Sequence, residues 1–348
     1  MPQHRGHRGR LSLVVHQPFP LSGAAKTLQG DIMRAVEITD FGGPENLKLV
    51  DRPDPTAEPG HAVLAVAAAG VGLFDVLLRQ GAKPDVGTGF VPGLEVAGTV
   101  VEVGSEDDAG WVGRRVFALT GDGGGYSDRA VVPVESLVEL PEDVSFHDAV
   151  ALGVNSLVAA ASLERADLKA GERVLVRGAG GGIGVLTTQL AAARGATVIA
   201  SVPDRSVAQR LYDLGATEVE GLDAVDPGPD GRYHAVIDIV AGSDVADFIP
   251  LLRPNGRYVI SGIAAGAPTP DFGMALFANF QQSWTISTLS LSSAPSKNAA
   301  ETFALVFAEL REDRLKPVVH GTFPLDEAAA AHTLLESRAT FGKIVLTV

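Results

Sequence analysis

Arg173-Val174-Leu175-Val176-Arg177-Gly178-Ala179-Gly180-Gly181-Gly182-Ile183-Gly184 decides how this chain folds. A short apolar run enters a glycine run, and the Ala-, Leu- and Gln-rich stretch from Val185 to Arg194 favours a helix after it. A strand, a tight glycine turn and a helix in that order present backbone N–H groups and a positive helix end to an anion. The spacing Gly178-x-x-Gly181-x-x-Gly184 is a relative of the dinucleotide fingerprint, in which a Cβ would hold the backbone away from the phosphates or obstruct helix–strand packing. Downstream, Ala196–Ala200, Ala235–Ile239 and Arg257–Ile260 are further short apolar runs between helical stretches. That alternation predicts an α/β unit with a doubly wound parallel sheet. Gly121 to Gly125 is a useful contrast, since it precedes a strand and no helix and reads as a loop.

The second strand indicates which dinucleotide is bound. An NAD site places Asp or Glu at the end of that strand for the ribose 2′-OH. Here the strand ends Ile199-Ala200-Ser201-Val202, without an acid. Ser201 as a donor and Arg205 as a forked cation suit a 2′-phosphate, so NADP (NADPH) is the expected cofactor. Asp204 lies beyond the acid position and reads as an N-terminal helix residue.

From Met33 to about residue 150 the texture differs. Met33–Ile38, His61–Val66, Glu95–Val103 and Ala130–Val132 are closely spaced β-rich segments broken by Gly and Pro, which predicts a partly open β-barrel. A late helix from about Ala299 to Leu310 and a last strand, Lys343–Leu346, return to this part. The expected division is a disordered extension over 1–30, a barrel domain over 31–155 and 296–348, and a dinucleotide domain over 156–295.

Bulk properties narrow the function. The 348 residues suffice for two cores, and the net charge of −14 argues against a nucleic-acid partner. Residues 1–30 carry Arg5, Arg8, Arg10 and Lys26 and no acid, but their longest apolar stretch, Leu11–Val15, is too short for a signal h-region. No uninterrupted apolar run has the roughly 18 residues of a membrane span, so a cytoplasmic, non-membrane protein is expected. Cysteine is absent, which removes disulfides, thiol nucleophiles and thiolate metal sites. The eight histidines show no ligand-like spacing, and no Gly-x-Ser-x-Gly elbow is present.

These residues resemble the zinc-independent quinone oxidoreductase (zeta-crystallin-like) family of medium-chain dehydrogenases/reductases, over nearly all of the chain from Met33. Carrying the resemblance, besides the glycine run, are Ala69–Arg79, Pro92–Gly98, Gly124–Ser127, Leu252–Arg257 and Gly342–Leu346. It implies a GroES-like catalytic domain, a Rossmann domain and a cofactor cleft between them. It also implies a homodimer or homotetramer joined through Rossmann edge strands, for which Trp284–Leu291 is the candidate. Zinc-dependent relatives carry Gly-His-Glu where this chain has Gly93-Leu94-Glu95; with no cysteine anywhere, no metal site is expected.

Without a metal, the chemistry that fits is hydride transfer from NADPH to a small-molecule quinone or α,β-unsaturated carbonyl, whose conjugation spreads the developing charge. A 2-enoyl thioester reductase and a non-catalytic NADPH-binding sensor or structural protein are the alternatives. Glycine run aside, Ser261-Gly262-Ile263 resembles the nicotinamide-side turn of the cofactor site. Gly72 stands where many members have Asn, and Leu77 where several have Tyr. With Asn155 they are the candidate substrate pocket, apolar or roomier than usual. Tyr126 is read as a packed strand tyrosine, and no catalytic acid is identified.

Overall fold

The structure, a computed structural model, describes residues 31–121, 123–223, 232–293 and 299–348. The extension over 1–30 and the 295/296 division fall outside these residues.

The amino-terminal strands are β1 (Ile32–Ile38), β2 (Leu47–Pro53), β3 (His61–Val71), β4 (Glu95–Val103), β5 (Arg115–Leu119), β6 (Arg129–Pro133) and β7 (Val138–Glu139). Six more follow: β8 (Arg173–Arg177), β9 (Thr197–Ser201), β10 (Glu218–Glu220), β11 (Tyr233–Asp238), β12 (Leu252–Ile260) and β13 (Thr285–Thr288). The last two are β14 (Val319–Pro324) and β15 (Lys343–Thr347). The helices that matter for the site are α1 (Leu73–Arg79), α2 (Phe146–Arg165) and α3 (Gly182–Ala193).

One sheet has the order β10-β9-β8-β11-β12-β13, with every pair parallel. Numbered from β8, that is 3-2-1-4-5-6, the Rossmann order whose direction reverses between β8 and β11. Parallel strands are covered on both faces, which accounts for runs such as Val174-Leu175-Val176 with no exposed member. The other sheet runs β14-β15-β3-β4-β5-β7, with β6 also on β3, and β1 and β2 form a ribbon beside it. Ala35 and Ile38 in the ribbon bridge to Ser127 and Phe90. This is the GroES-like, partly open barrel, and the α/β fold class holds.

Sequence inspection left α2 unassigned, and the 155/156 division falls inside it. Its start is nonetheless marked: Ser145 accepts a hydrogen bond from the Asp148 N–H, as an N-cap does. The axis breaks at Gly153, where a Cβ would meet Glu95 Oε2 at 2.0 Å, so a barrel carboxylate occupies the space of a helix side chain. By length and composition α2 is apolar enough to cross a membrane, but Ala149, Val150, Leu152, Leu157 and Leu163 pack it into the core.

Candidate active site

The glycine run occupies the switch point. Gly178 leaves β8 with φ +78°, and its N–H and that of Ala179 donate to the Ser201 carbonyl at the end of β9. Gly181 is the N-cap of α3 and supplies no side chain to it. Helix geometry leaves the N–H groups of Gly182, Ile183 and Gly184 without intrahelical acceptors, and all three point to the same end. A Cβ on Gly184 would stand 2.1 Å from the Gly178 carbonyl oxygen, so helix and strand pack closer there than any other residue allows. At Gly180 and Gly181 a Cβ would find only ordinary contacts of 3.5 Å or more. Close packing beneath and open, uncapped N–H groups above are what a pyrophosphate requires, so the cradle fits a dinucleotide.

Across the switch point, Ser261-Gly262-Ile263 follows β12 directly. The Ser261 and Gly262 N–H groups donate to the Asp238 carbonyl, and a Cβ on Gly262 would lie 2.4 Å from the Ile239 oxygen. Ser261 Oγ is buried without a hydrogen-bond partner among the described residues.

Ser201 is placed otherwise than the 2′-phosphate reading requires. It is buried, and its hydroxyl donates to the Gly221 carbonyl at 2.7 Å, which commits the proton a phosphate would need. Its place is structural, fixing the glycine turn through its own carbonyl. Arg205 is exposed and makes no ion pair among the described residues. Asp204 is tied to Ser206, accepting from its N–H at 2.8 Å and its hydroxyl at 2.6 Å, and those bonds hold its carboxyl below the ordinary range.

The barrel meets the cradle through Asn155 and Gly342. A Cβ on Gly182 would touch Asn155 Nδ2 at 2.6 Å, so that amide lies against the first residue of α3. The Gly342 N–H donates to the Gly180 carbonyl at 2.9 Å. Gly72 is the N-cap of α1 and donates to Asp75 Oδ2; Leu77 is half-buried on the same helix. Tyr126 is fully buried, with its hydroxyl 3.0 Å from His332 Nε2, and does not line the cleft.

Sequence inspection missed two buried polar clusters. Arg177, the last residue of β8, pairs with Asp238 at 2.8 Å and Asp244 at 2.8 Å, and its guanidinium lies 3.7 Å from the Phe248 ring centroid. Burial is the largest single influence and works against its charge, but Asp238, Tyr258 and Asp244 together outweigh it and hold the guanidinium above its ordinary value. Asp238 Oδ1 also accepts the N–H groups of Val240 and Ala241, and a Cβ on Gly178 would touch Val240 at 2.9 Å. The pair therefore ties the turn after β11 to the glycine turn.

The second cluster lies on the barrel side. Glu95 pairs with Lys343 at 2.5 Å and accepts the Val154 N–H at 2.7 Å. Asp75 accepts from Gly72 and Gly93; burial raises its carboxyl to about 6, against the pull of those two bonds and Lys343. Glu95 and Lys343 each lie in a segment that carries the family resemblance, Pro92–Gly98 and Gly342–Leu346, but their pairing was hidden because they are far apart in sequence.

Comparison with known proteins agrees with this geometry. Residues 58–142 match the family described as alcohol dehydrogenase GroES-like domain, and residues 208–346 match that described as zinc-binding dehydrogenase. The second description implies zinc, but this chain lacks the donor set: it has no cysteine, and among the described residues no three His, Asp or Glu side chains converge. A quinone oxidoreductase of Mus musculus is 31% identical over 90% of this chain and 98% of its own length. A mycobacterial protein solved in complex with NADPH has TM-score 0.82 and 30% identity, covering 91% of this chain and 100% of that one. The Escherichia coli quinone oxidoreductase, also with NADPH, gives 0.83 and 27% over the same shares.

Proposed function

Because this chain belongs to the zinc-independent quinone oxidoreductase family of medium-chain dehydrogenases/reductases, we propose that it is an NADPH-dependent oxidoreductase that reduces a quinone or α,β-unsaturated carbonyl. The uncapped amino end of α3, above a glycine turn at the sheet's switch point, carries the reading. The N–H groups of Gly182, Ile183 and Gly184 hold the pyrophosphate, with Gly178 and Gly184 giving the tight turn and Gly180 and Gly181 the open approach. Ser261-Gly262-Ile263 and Asn155 flank the nicotinamide end, and Ser261 Oγ is free to bond there. Arg205, exposed after β9 and without an ion pair among the described residues, takes the 2′-phosphate in place of Ser201.

Bound NADPH supplies the hydride. The chain's contribution is orientation in the cleft, where aligning donor and acceptor accounts for much of the rate. Gly72 and Leu77 add no polar side chain of their own to the acceptor site. The protein works in the cytoplasm as a homodimer or homotetramer. β13 is the last strand of its sheet, and exposed Met274, Phe277 and Phe280 lie on the segment before it, which suits pairing of two such edges.

Purified protein mixed with NADPH or NADH and a panel of quinones, enones and enoyl thioesters, followed by nicotinamide absorbance, tests this. Oxidation of NADPH by quinones or enones is expected. Binding of NADPH with no oxidation across the panel would sink the enzyme reading in favour of a sensor. Turnover confined to enoyl thioesters would move the substrate class.

A further inference from the structure

Lys343 is a buried cation that directly follows Gly342, the residue bonded to the glycine cradle. Its side chain is 6% exposed and that of Glu95 2%. A lysine is brought so far from water only where fixed partners hold it, and among the described residues its ion pair is with Glu95 Oε1. The other acceptors nearby have donors already. Glu95 Oε2 takes the Val154 N–H, Asp75 Oδ1 takes Gly93, and Asp75 Oδ2 takes Gly72. An ammonium carries three N–H donors, so this one has hydrogen-bonding capacity left over.

The space beside it is defined by Gly72. A Cβ there would lie 3.5 Å from Asp75 Oδ2 and 3.9 Å from Lys343 Nζ, with no heavy atom closer outside the flanking residues. Gly72 has φ −131° and ψ 165°, extended backbone open to any residue. Neither strain nor crowding demands glycine; its effect is to leave a gap next to the ammonium. Two contacts fix that gap beside the cofactor cradle. Val154, bonded to Glu95, precedes Asn155, which touches Gly182; Gly342, bonded to Gly180, precedes Lys343.

Hydride addition to a quinone or enone sends the hydride and its electron pair to the acceptor carbon, while the displaced π pair moves to the carbonyl oxygen. A preorganised donor aimed at that oxygen, away from water, stabilises the charge as it forms. We propose that the gap beside Gly72 seats the acceptor's carbonyl oxygen and that the Lys343 ammonium is the donor that stabilises the charge developing on it. Glu95 holds the ammonium in place, water supplies the product's proton, and the absent side chain at 72 makes the seat accessible. The inference rests on the NADPH-dependent reductase reading.

The test compares the wild-type protein with Lys343→Met, Lys343→Arg, Gly72→Val and the Lys343→Met/Glu95→Gln double variant, which also removes the carboxylate that Lys343 pairs with. Hydride transfer is timed in single turnovers with NADPH and the best acceptor of the panel, and NADPH dissociation constants are measured separately. Loss of the donor is expected to slow hydride transfer about 10²- to 10³-fold in Lys343→Met and in the double variant, with the NADPH constant unchanged. Lys343→Arg is expected to recover much of the rate, and Gly72→Val to lose it by filling the seat.

A second arm needs no turnover. 4-Nitrophenol bound with NADP⁺ is expected to ionise at lower pH in the wild type than free in solution, and to lose that shift in Lys343→Met. Undiminished hydride transfer in a folded Lys343→Met protein would overturn the proposal while leaving the reductase reading intact. A parallel loss of NADPH affinity would overturn it too, making Lys343 a cofactor-phosphate ligand. If the wild type oxidises no NADPH yet shows the Lys343-dependent nitrophenol shift, the reductase reading fails and the oxygen seat stands. With neither signal, both fail.

Discussion

Gly184→Ala tests the cradle most directly, because its cost follows from one distance. The new Cβ would stand 2.1 Å from the Gly178 oxygen, 2.6 Å from the Ala179 Cα and 2.8 Å from the Ala179 carbonyl carbon. All three are backbone atoms, so no rotamer change relieves the contact. Reaching even the 3.0 Å floor for such contacts moves the amino end of α3 about 0.9 Å off β8. Overpacking of this kind costs about 1–3 kcal/mol. For a chain of this size that lowers Tm by roughly 1–5 °C. The same shift lengthens the bonds from Gly182, Ile183 and Gly184 to a bound pyrophosphate, each worth about 1.5–3 kcal/mol when the acceptor is charged. Losing about 2 kcal/mol among them weakens NADPH binding roughly thirtyfold. Gly181→Ala is the control: its Cβ meets only the Gly178 oxygen, at 3.5 Å, so Tm should hold while the Cβ at the helix mouth impedes the phosphate. Thermal scans and fluorescence titration with NADPH give both quantities. A Gly184→Ala protein that keeps its Tm and its NADPH affinity would refute the reasoning.

Arg205→Ala should weaken NADPH roughly tenfold and leave NADH unchanged, since the guanidinium serves only the 2′-phosphate. Ser201→Ala should cost about 1 kcal/mol of stability through its bond to Gly221 without altering the NADPH/NADH ratio; a changed ratio would restore Ser201 as a phosphate donor. Burial holds the His332 imidazole down to about 3, with Arg79 second in effect, against about 6.5 when unfolded. Its contribution to stability is therefore complete above about pH 6.5 and is lost as the pH falls towards 3. Asp75, raised to about 6, runs the other way: its contribution is complete below 3.8 and lost as the pH rises through 6. Denaturant melts should thus show His332→Gln gaining about 2–3 kcal/mol on the wild type between about pH 7 and 4.5, and equal slopes for the two would rule this out. Phe277→Asp/Phe280→Asp should yield monomers in sedimentation if the β13 edges pair; unchanged oligomers would place the interface elsewhere.

What could be read in advance was local. Strand, turn and helix around Gly178–Gly184 follow one another between Arg173 and Ala193, so periodicity and glycine spacing located the cradle. α2 escaped because Gly153 interrupts the pattern, and the cause of that glycine, the Glu95 side chain, lies 58 residues earlier. Ser201 stood at the right position on β9, but which way its hydroxyl turned depended on Gly221, in the loop after the next strand. The Arg177 cluster and the Lys343–Glu95 pair depend on chain folding that brings distant charges together, and composition carries no trace of that.

The seat of β15 has a bearing on how the protein is made. It lies between β14 and β3, pairing Ile344 with Val71, 273 residues earlier. At about 5–20 residues per second, β3 waits roughly 15–55 s on the ribosome for its neighbour. The six parallel strands, all between residues 173 and 288, have their partners much sooner. During that interval one edge of β3 has its N–H and C=O groups open over Ala68–Val71, which are apolar apart from Gly70, and there a nascent chain is exposed to mispairing. The speed of translation therefore sets how long that edge stays open.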